Sequence, residues 1–180
     1  NKEYNADCSF DGADTVTFQD MTLYVVDNAN YLGFVRAYNT VVENCVVNGR
    51  TAYWGYTSAE FKNTTFNAPN KDYALWTYSS PEMTFDGCTF NASGKVINVY
   101  TDSSGNDITV NFENCTVNHI SDSLNKTALN INDSTMGDYK YIINISGNNT
   151  VNAGRDSTTC SRVFGFGGKE KEGTYNSGRT

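Results

Sequence analysis

A six-residue phrase recurs along this chain: apolar, any residue, Asn or Gly, a small residue, Thr or Val, apolar. It reads VENCVV at 42–47, FKNTTF at 61–66, FDGCTF at 85–90 and FENCTV at 112–117. A looser copy, FQDMTL, stands at 18–23, and ISGNNTV at 145–151 carries one extra residue. The first apolar residues are separated by 24, 19, 24, 27 and 33 residues. That spacing is one turn of a small solenoid with loops of variable length, and it constrains the fold more than any other feature.

No long stretch repeats with helical period. Val, Thr, Tyr and Phe come instead in short alternating runs bounded by Asn, Gly, Ser and Asp, which predicts strands and turns. Within each phrase two strands meet at the Asn or Gly. A sharp bend there needs a residue that tolerates the left-handed conformation, so Asn44, Asn63, Gly87 and Asn114 are expected to stack as a corner column. A further strand fits between phrases: 35–38, 53–56, 75–78, 97–100, 129–132 and 164–167 align as one series. The first and third members of each are apolar or small and should face inward, so the second and fourth face outward.

Three short strands per turn with a tight Asn corner resemble the right-handed parallel β-helix, the pectate-lyase-like architecture, over roughly residues 10–168. The resemblance implies an all-β solenoid of about six turns, a single domain over 1–168 with a polar tail at 169–180. In flavour the repeats are similar to the β-helix segments of adhesin-like bacterial surface proteins, which implies an extracellular or bacterial cell-surface location. Enzymes of this architecture act on polysaccharides. Its lyases use a basic residue, often with acidic Ca²⁺ ligands, and its polygalacturonase-like hydrolases cluster Asp near Gly-His-Gly. Here the one His, His119, has no flanking glycine, and the acidic residues are scattered.

Composition narrows the partners. A chain of 180 residues is one domain by length, and 13% aromatic residues argue against disorder. The net charge of −7 disfavours nucleic acid and anionic polysaccharide, leaving glycans or a host surface protein. No apolar run approaches membrane-spanning length, so no membrane insertion is expected. The start at Asn1-Lys2-Glu3, without Met, reads as a piece of a longer or processed protein.

Several residues invite chemistry and read better as structure. Cys45, Cys88 and Cys115 share one repeat position with Thr64 between them, so an inward stack of small residues is expected rather than a metal site. Cys88 and Cys115 are close enough in adjacent turns for a bridge, whereas Cys8 and Cys160 lie near opposite ends. Sequons such as those at Asn63 and Asn114 arise from composition, and His119 is expected at the surface. Asp102 and Asp107 follow one strand and Asp133 and Asp138 follow the next; they are the candidates for Ca²⁺ or for acid–base work in a lyase or glycosidase alternative. No catalytic residue, metal or cofactor is otherwise expected.

The functional expectation rests on the outward positions of the inter-phrase strand. Tyr38, Tyr56, Tyr78 and Tyr100 fill the fourth position, and Arg36, Trp54, Trp76 and Asn98 fill the second. Such an aromatic stripe with amides and one Arg suits sugar rings or a protein partner. A stabilising ladder of stacked rings, or a plain stalk spacer, is the competing reading. The stripe vanishes if the register slips.

Overall fold

The computed structural model describes residues 8–9, 12–24, 34–68, 74–78, 81–92, 95–101, 107–119, 127–133, 140–152 and 162–168; some strand residues among them are described by backbone alone. Among the described residues all regular structure is parallel strand. The first turn holds β1 (Cys8–Ser9), β2 (Thr15–Gln19) and β3 (Thr22–Tyr24). The second holds β4 (Phe34–Glu43) and β5 (Val46–Asn48), and the third holds β6 (Thr51–Lys62) and β7 (Thr65–Ala68). The fourth has β8 (Leu75–Tyr78), β9 (Glu82–Asp86) and β10 (Thr89–Ala92). The fifth has β11 (Lys95–Thr101), β12 (Ile108–Glu113) and β13 (Thr116–His119). The sixth has β14 (Thr127–Asp133), β15 (Tyr141–Ser146) and β16 (Thr150–Asn152), and β17 (Arg162–Gly168) opens a seventh.

Pairing each strand with its counterpart one turn away gives three faces of a β-solenoid of about six turns. Face one contains β1, the first halves of β4 and β6, then β8, β11, β14 and β17. Face two contains β2, the second halves of β4 and β6, then β9, β12 and β15. Face three is β3, β5, β7, β10, β13 and β16. Because β4 and β6 run unbroken round a corner, faces one and two form one 11-stranded sheet.

The repeated phrase occupies faces two and three and the corner between them. Asp20, Asn44, Asn63, Gly87, Asn114 and Gly147 all have positive φ, between 46° and 69°. The corner column is thus as expected, with Asp20 and Gly147 completing it. Its backbone stays bonded from turn to turn: Asn44 N–H donates to Lys62 O at 3.0 Å and Asn63 N–H to Asp86 O at 2.8 Å.

The phrase's first and last apolar residues point inward and build the core. Phe61 stacks on Phe85 (4.9 Å, 7° between planes), and Phe66 on Phe90 (4.9 Å, 4°). Across the core the two stacks meet edge-on, Phe61 against Phe66 and Phe85 against Phe90. Such pairs contribute about 0.5–1.5 kcal/mol each beyond their burial.

The small-residue column does more than fill space. At two corners a side chain from the next turn takes the N–H that the ladder skips: Cys45 N–H donates to Thr64 Oγ1 at 3.3 Å and Cys115 N–H to Asn149 Oδ1 at 2.8 Å. The same side chains donate back to carbonyls: Thr64 to Val42 and Lys62, Cys88 to Phe61 and Asp86, Cys115 to Phe85 and Glu113. From the second turn on the position holds a group that can both donate and accept, which Cys, Thr and Asn supply. Cys45, Cys88 and Cys115 are free thiols. Cys8 is described by backbone only, and Cys160 and 169–180 lie outside the described residues.

One expected register differs. The series 53–56 and 75–78 does not align end to end: Ala52 pairs with Trp76 and Trp54 with Tyr78, a shift of two residues. The cause lies in β6, whose second half pairs with β9 at the same offset, Ser58 with Glu82. β6 thus pairs with β8 and β9 at one common offset, with no register jump between them. The remaining registers, Tyr78–Tyr100 and Asn98–Asn130 included, are as expected.

His119 is also not at the surface. It lies inward on β13, 7% exposed, in register with Ala92.

Candidate functional site

The corner between faces one and two shapes the only outer aromatic pair among the described side chains. Between β4 and β6 the register jumps from Ala37–Gly55 to Asn39–Ser58, so β6 carries one extra residue. Gly55 makes this possible: a Cβ there would collide with the Ser58 carbonyl, so only glycine lets the chain fold back that closely. The bulge sets Tyr56 and Thr57 outward. Tyr56 then meets Tyr38 of the preceding turn at 5.7 Å between ring centroids, tilted by 57°. Both rings face solvent, Tyr38 50% and Tyr56 42% exposed.

Beside this pair lies an open cleft of about 570 Å³ lined by Tyr56, Thr57, Pro81, Glu82, Asp107 and Thr109. It combines one aromatic wall with two carboxylates and two hydroxyls. Asp107 is held in place, since its Oδ1 accepts the Lys140 backbone N–H at 3.0 Å. The arrangement can stack an apolar ring face on Tyr56 and accept hydrogen bonds from hydroxyl groups at Glu82 and Asp107.

The other stripe residues distribute as follows. Arg36 pairs with Trp54, which pairs with Tyr78, which pairs with Tyr100, so one register column runs Arg-Trp-Tyr-Tyr rather than by turn-wise identity. Trp76 sits between Ala52 and Asn98 in the neighbouring column. Trp54, Trp76, Tyr78 and Tyr100 are described by backbone alone. Asn98 is not on an open surface: it is 5% exposed, and Asn130, 4% exposed, donates to its Oδ1 at 2.7 Å. Of the acidic candidates, Asp102 and Asp138 lie outside the described residues, and Asp133 ends β14 with its side chain undescribed.

Two further features escaped the reading of the phrase. Face three carries a second asparagine column: Asn67 donates to Asn48, Asn91 to Asn67, Asn118 to Asn91 and Asn152 to Asn118, at 2.7–3.0 Å. It stands outside the core, next to an outward column of Thr65, Thr89, Thr116 and Thr150. Its signal is the Asn that follows the last apolar residue of every phrase but the first. By contrast, face two ends in an outward charged column, Glu43, Lys62, Asp86 and Glu113. There Lys62 bridges Glu60 at 2.7 Å. The Glu60 hydrogen bond and charge hold the ammonium above its ordinary range, with Glu43 and Asp86 adding to it.

Compared with known proteins, the chain matches no family model, no curated protein and no solved structure.

Proposed function

We propose that this chain is a non-catalytic ligand-binding β-solenoid of a secreted or cell-surface, adhesin-like protein, which takes a neutral glycan at the corner of Tyr38 and Tyr56. The observation that supports it is the exposed Tyr38–Tyr56 pair beside the cleft. Exposed rings on a rigid scaffold are ordered before the ligand arrives, so binding loses little side-chain entropy. Glu82 and Asp107 then act as acceptors for sugar hydroxyls.

The test is a glycan array followed by titration calorimetry on any hit. Tyr56→Ala and Tyr38→Ala should each weaken binding at least tenfold with the melting temperature unchanged. Binding that survives both substitutions would remove the aromatic corner as the site. New reducing ends or unsaturated products during incubation would favour the polysaccharide-processing alternative instead.

A further inference from the structure

Among the described residues, face three carries no Asp, Glu, Lys or Arg at the outward positions of its strands. Its outward positions are the first and third of each short strand, and from the third turn on these are always Thr and Asn. The strands β7, β10, β13 and β16 are in strict register, Thr on Thr and Asn on Asn. The result is a rectangular grid, repeating at about 4.8 Å along the stack and about 6.7 Å across the strand.

The grid is also rigid. Each strand is paired on both sides until the last turn, and the ladder bonds of 2.7–3.0 Å lock the carboxamides in one orientation. Within the ladder Asn67, Asn91 and Asn118 each use one donor and one acceptor, so one N–H and one lone pair on each remain for an outside partner. Each threonine adds a hydroxyl and a methyl group. Among the described residues, the Glu43, Asp86 and Glu113 column lies on face two.

This chemistry selects among partners. A sugar ring seeks an aromatic platform, and among the outward positions of face three only Tyr24 in the first turn is aromatic. A charged partner finds no counter-charge. An ordered water lattice needs what the grid offers: fixed donors and acceptors at a lattice repeat, small methyl groups between them, and no ion holding a competing hydration shell. The short repeat lies close to the shortest translation of hexagonal ice.

We infer that the Thr/Asn face of β7, β10, β13 and β16 is an ice-binding surface, a site separate from the aromatic corner. The experiment freezes a fluorescently tagged full chain slowly into a growing ice front and scores inhibition of ice recrystallisation in parallel. The wild-type chain should enter the ice and suppress recrystallisation. Thr89→Lys with Thr116→Lys should abolish both effects at an unchanged melting temperature, while Tyr38→Ala with Tyr56→Ala should alter neither. Should the lysine pair fail to fold, Thr116→Tyr, a good strand former whose ring lifts the lattice off the face, serves in its place. Rejection of the wild-type chain from ice overturns the inference. So does adsorption of the chain to crystalline cellulose or chitin, without uptake into ice, that the same threonine substitutions remove.

Discussion

The Asn63 carboxamide lies so close over Gly87 that a Cβ on the glycine would sit 2.5 Å from Asn63 Oδ1. Gly147 stands in the same relation to Asn114. An Asn corner therefore reaches into the space of the corner above it, and at these two places the residue above is Gly. Backbone conformation and side-chain volume act on the same position.

Gly87→Ala should accordingly cost about 2–3 kcal/mol, of which about 1–2 is the left-handed backbone alone and the rest the clash with Asn63. Urea titration of Gly87→Ala, Asn63→Ala and the double variant separates the two. The pair should show a coupling of at least about 0.5 kcal/mol, because removing the Asn63 amide removes the clash. Strict additivity would mean that the carboxamide does not press on the glycine.

The corner column predicts an order of replacements at Cys88. Thr64 occupies the same position one turn earlier, so Cys88→Thr should be tolerated within about 1 kcal/mol. Cys88→Ala leaves the Phe61 carbonyl without its donor at 3.2 Å and opens a small void, at a cost of about 2 kcal/mol. The thiol is pushed well above its ordinary range by the hydrogen bond with Cys115 and by burial. A raised folded-state value means that the stabilisation is complete below the unfolded thiol's pKa, about 8.5. It is then lost steadily as pH climbs above that. Melting temperature should therefore fall from about pH 9 upward, and less steeply in Cys88→Thr. An identical slope in that variant would assign the alkaline loss to other groups.

Thr77 points inward between Tyr53 and Val99, fully buried, and its hydroxyl has no hydrogen-bond partner among the described residues. Thr77→Val keeps the shape and removes the orphaned group. It should raise stability by about 1 kcal/mol. A loss of stability would reveal a partner for the hydroxyl.

The face-three ladder should weaken according to position. Asn91 both donates to Asn67 and accepts from Asn118, each at 2.8 Å, whereas Asn152 only donates to Asn118. Asn91→Ala should cost about 1–2 kcal/mol and Asn152→Ala about half as much. Native-state hydrogen exchange of the β10 and β13 amides would show whether the loss is local. Equal effects at both positions would argue against a chain of bonded amides.

The repeat made most of this legible. Corner residues, inward phenylalanines and the number of turns all follow from aligning six short phrases. What remained hidden has identifiable causes. The two-residue shift between β6 and β8 goes with the offset that β6 keeps against β9 on face two, and a strand-by-strand alignment does not contain that link. The bulge that pairs Tyr38 with Tyr56 depends on Gly55 approaching Ser58, a contact across three residues rather than a repeat property. Cys, Thr and Asn at the column position look alike in size, and only the skipped N–H explains why they interchange. The Asn ladder of face three was readable in principle, since Asn48, Asn67, Asn91, Asn118 and Asn152 each follow the phrase directly.

The distance from the phrase's first residue to that Asn is six residues in four turns and seven in the sixth, where Asn148 is inserted and donates its N–H to Asn114 Oδ1. The differences in turn length, from 19 to 33 residues, therefore fall almost wholly outside the phrase and its Asn. Insertions and deletions there leave the corner, the core stacks and the Thr/Asn grid in place. Mutation can thus lengthen or rewrite the two edges that flank face one while the phrase stays constant, so new specificities can arise on this scaffold without refounding its stability.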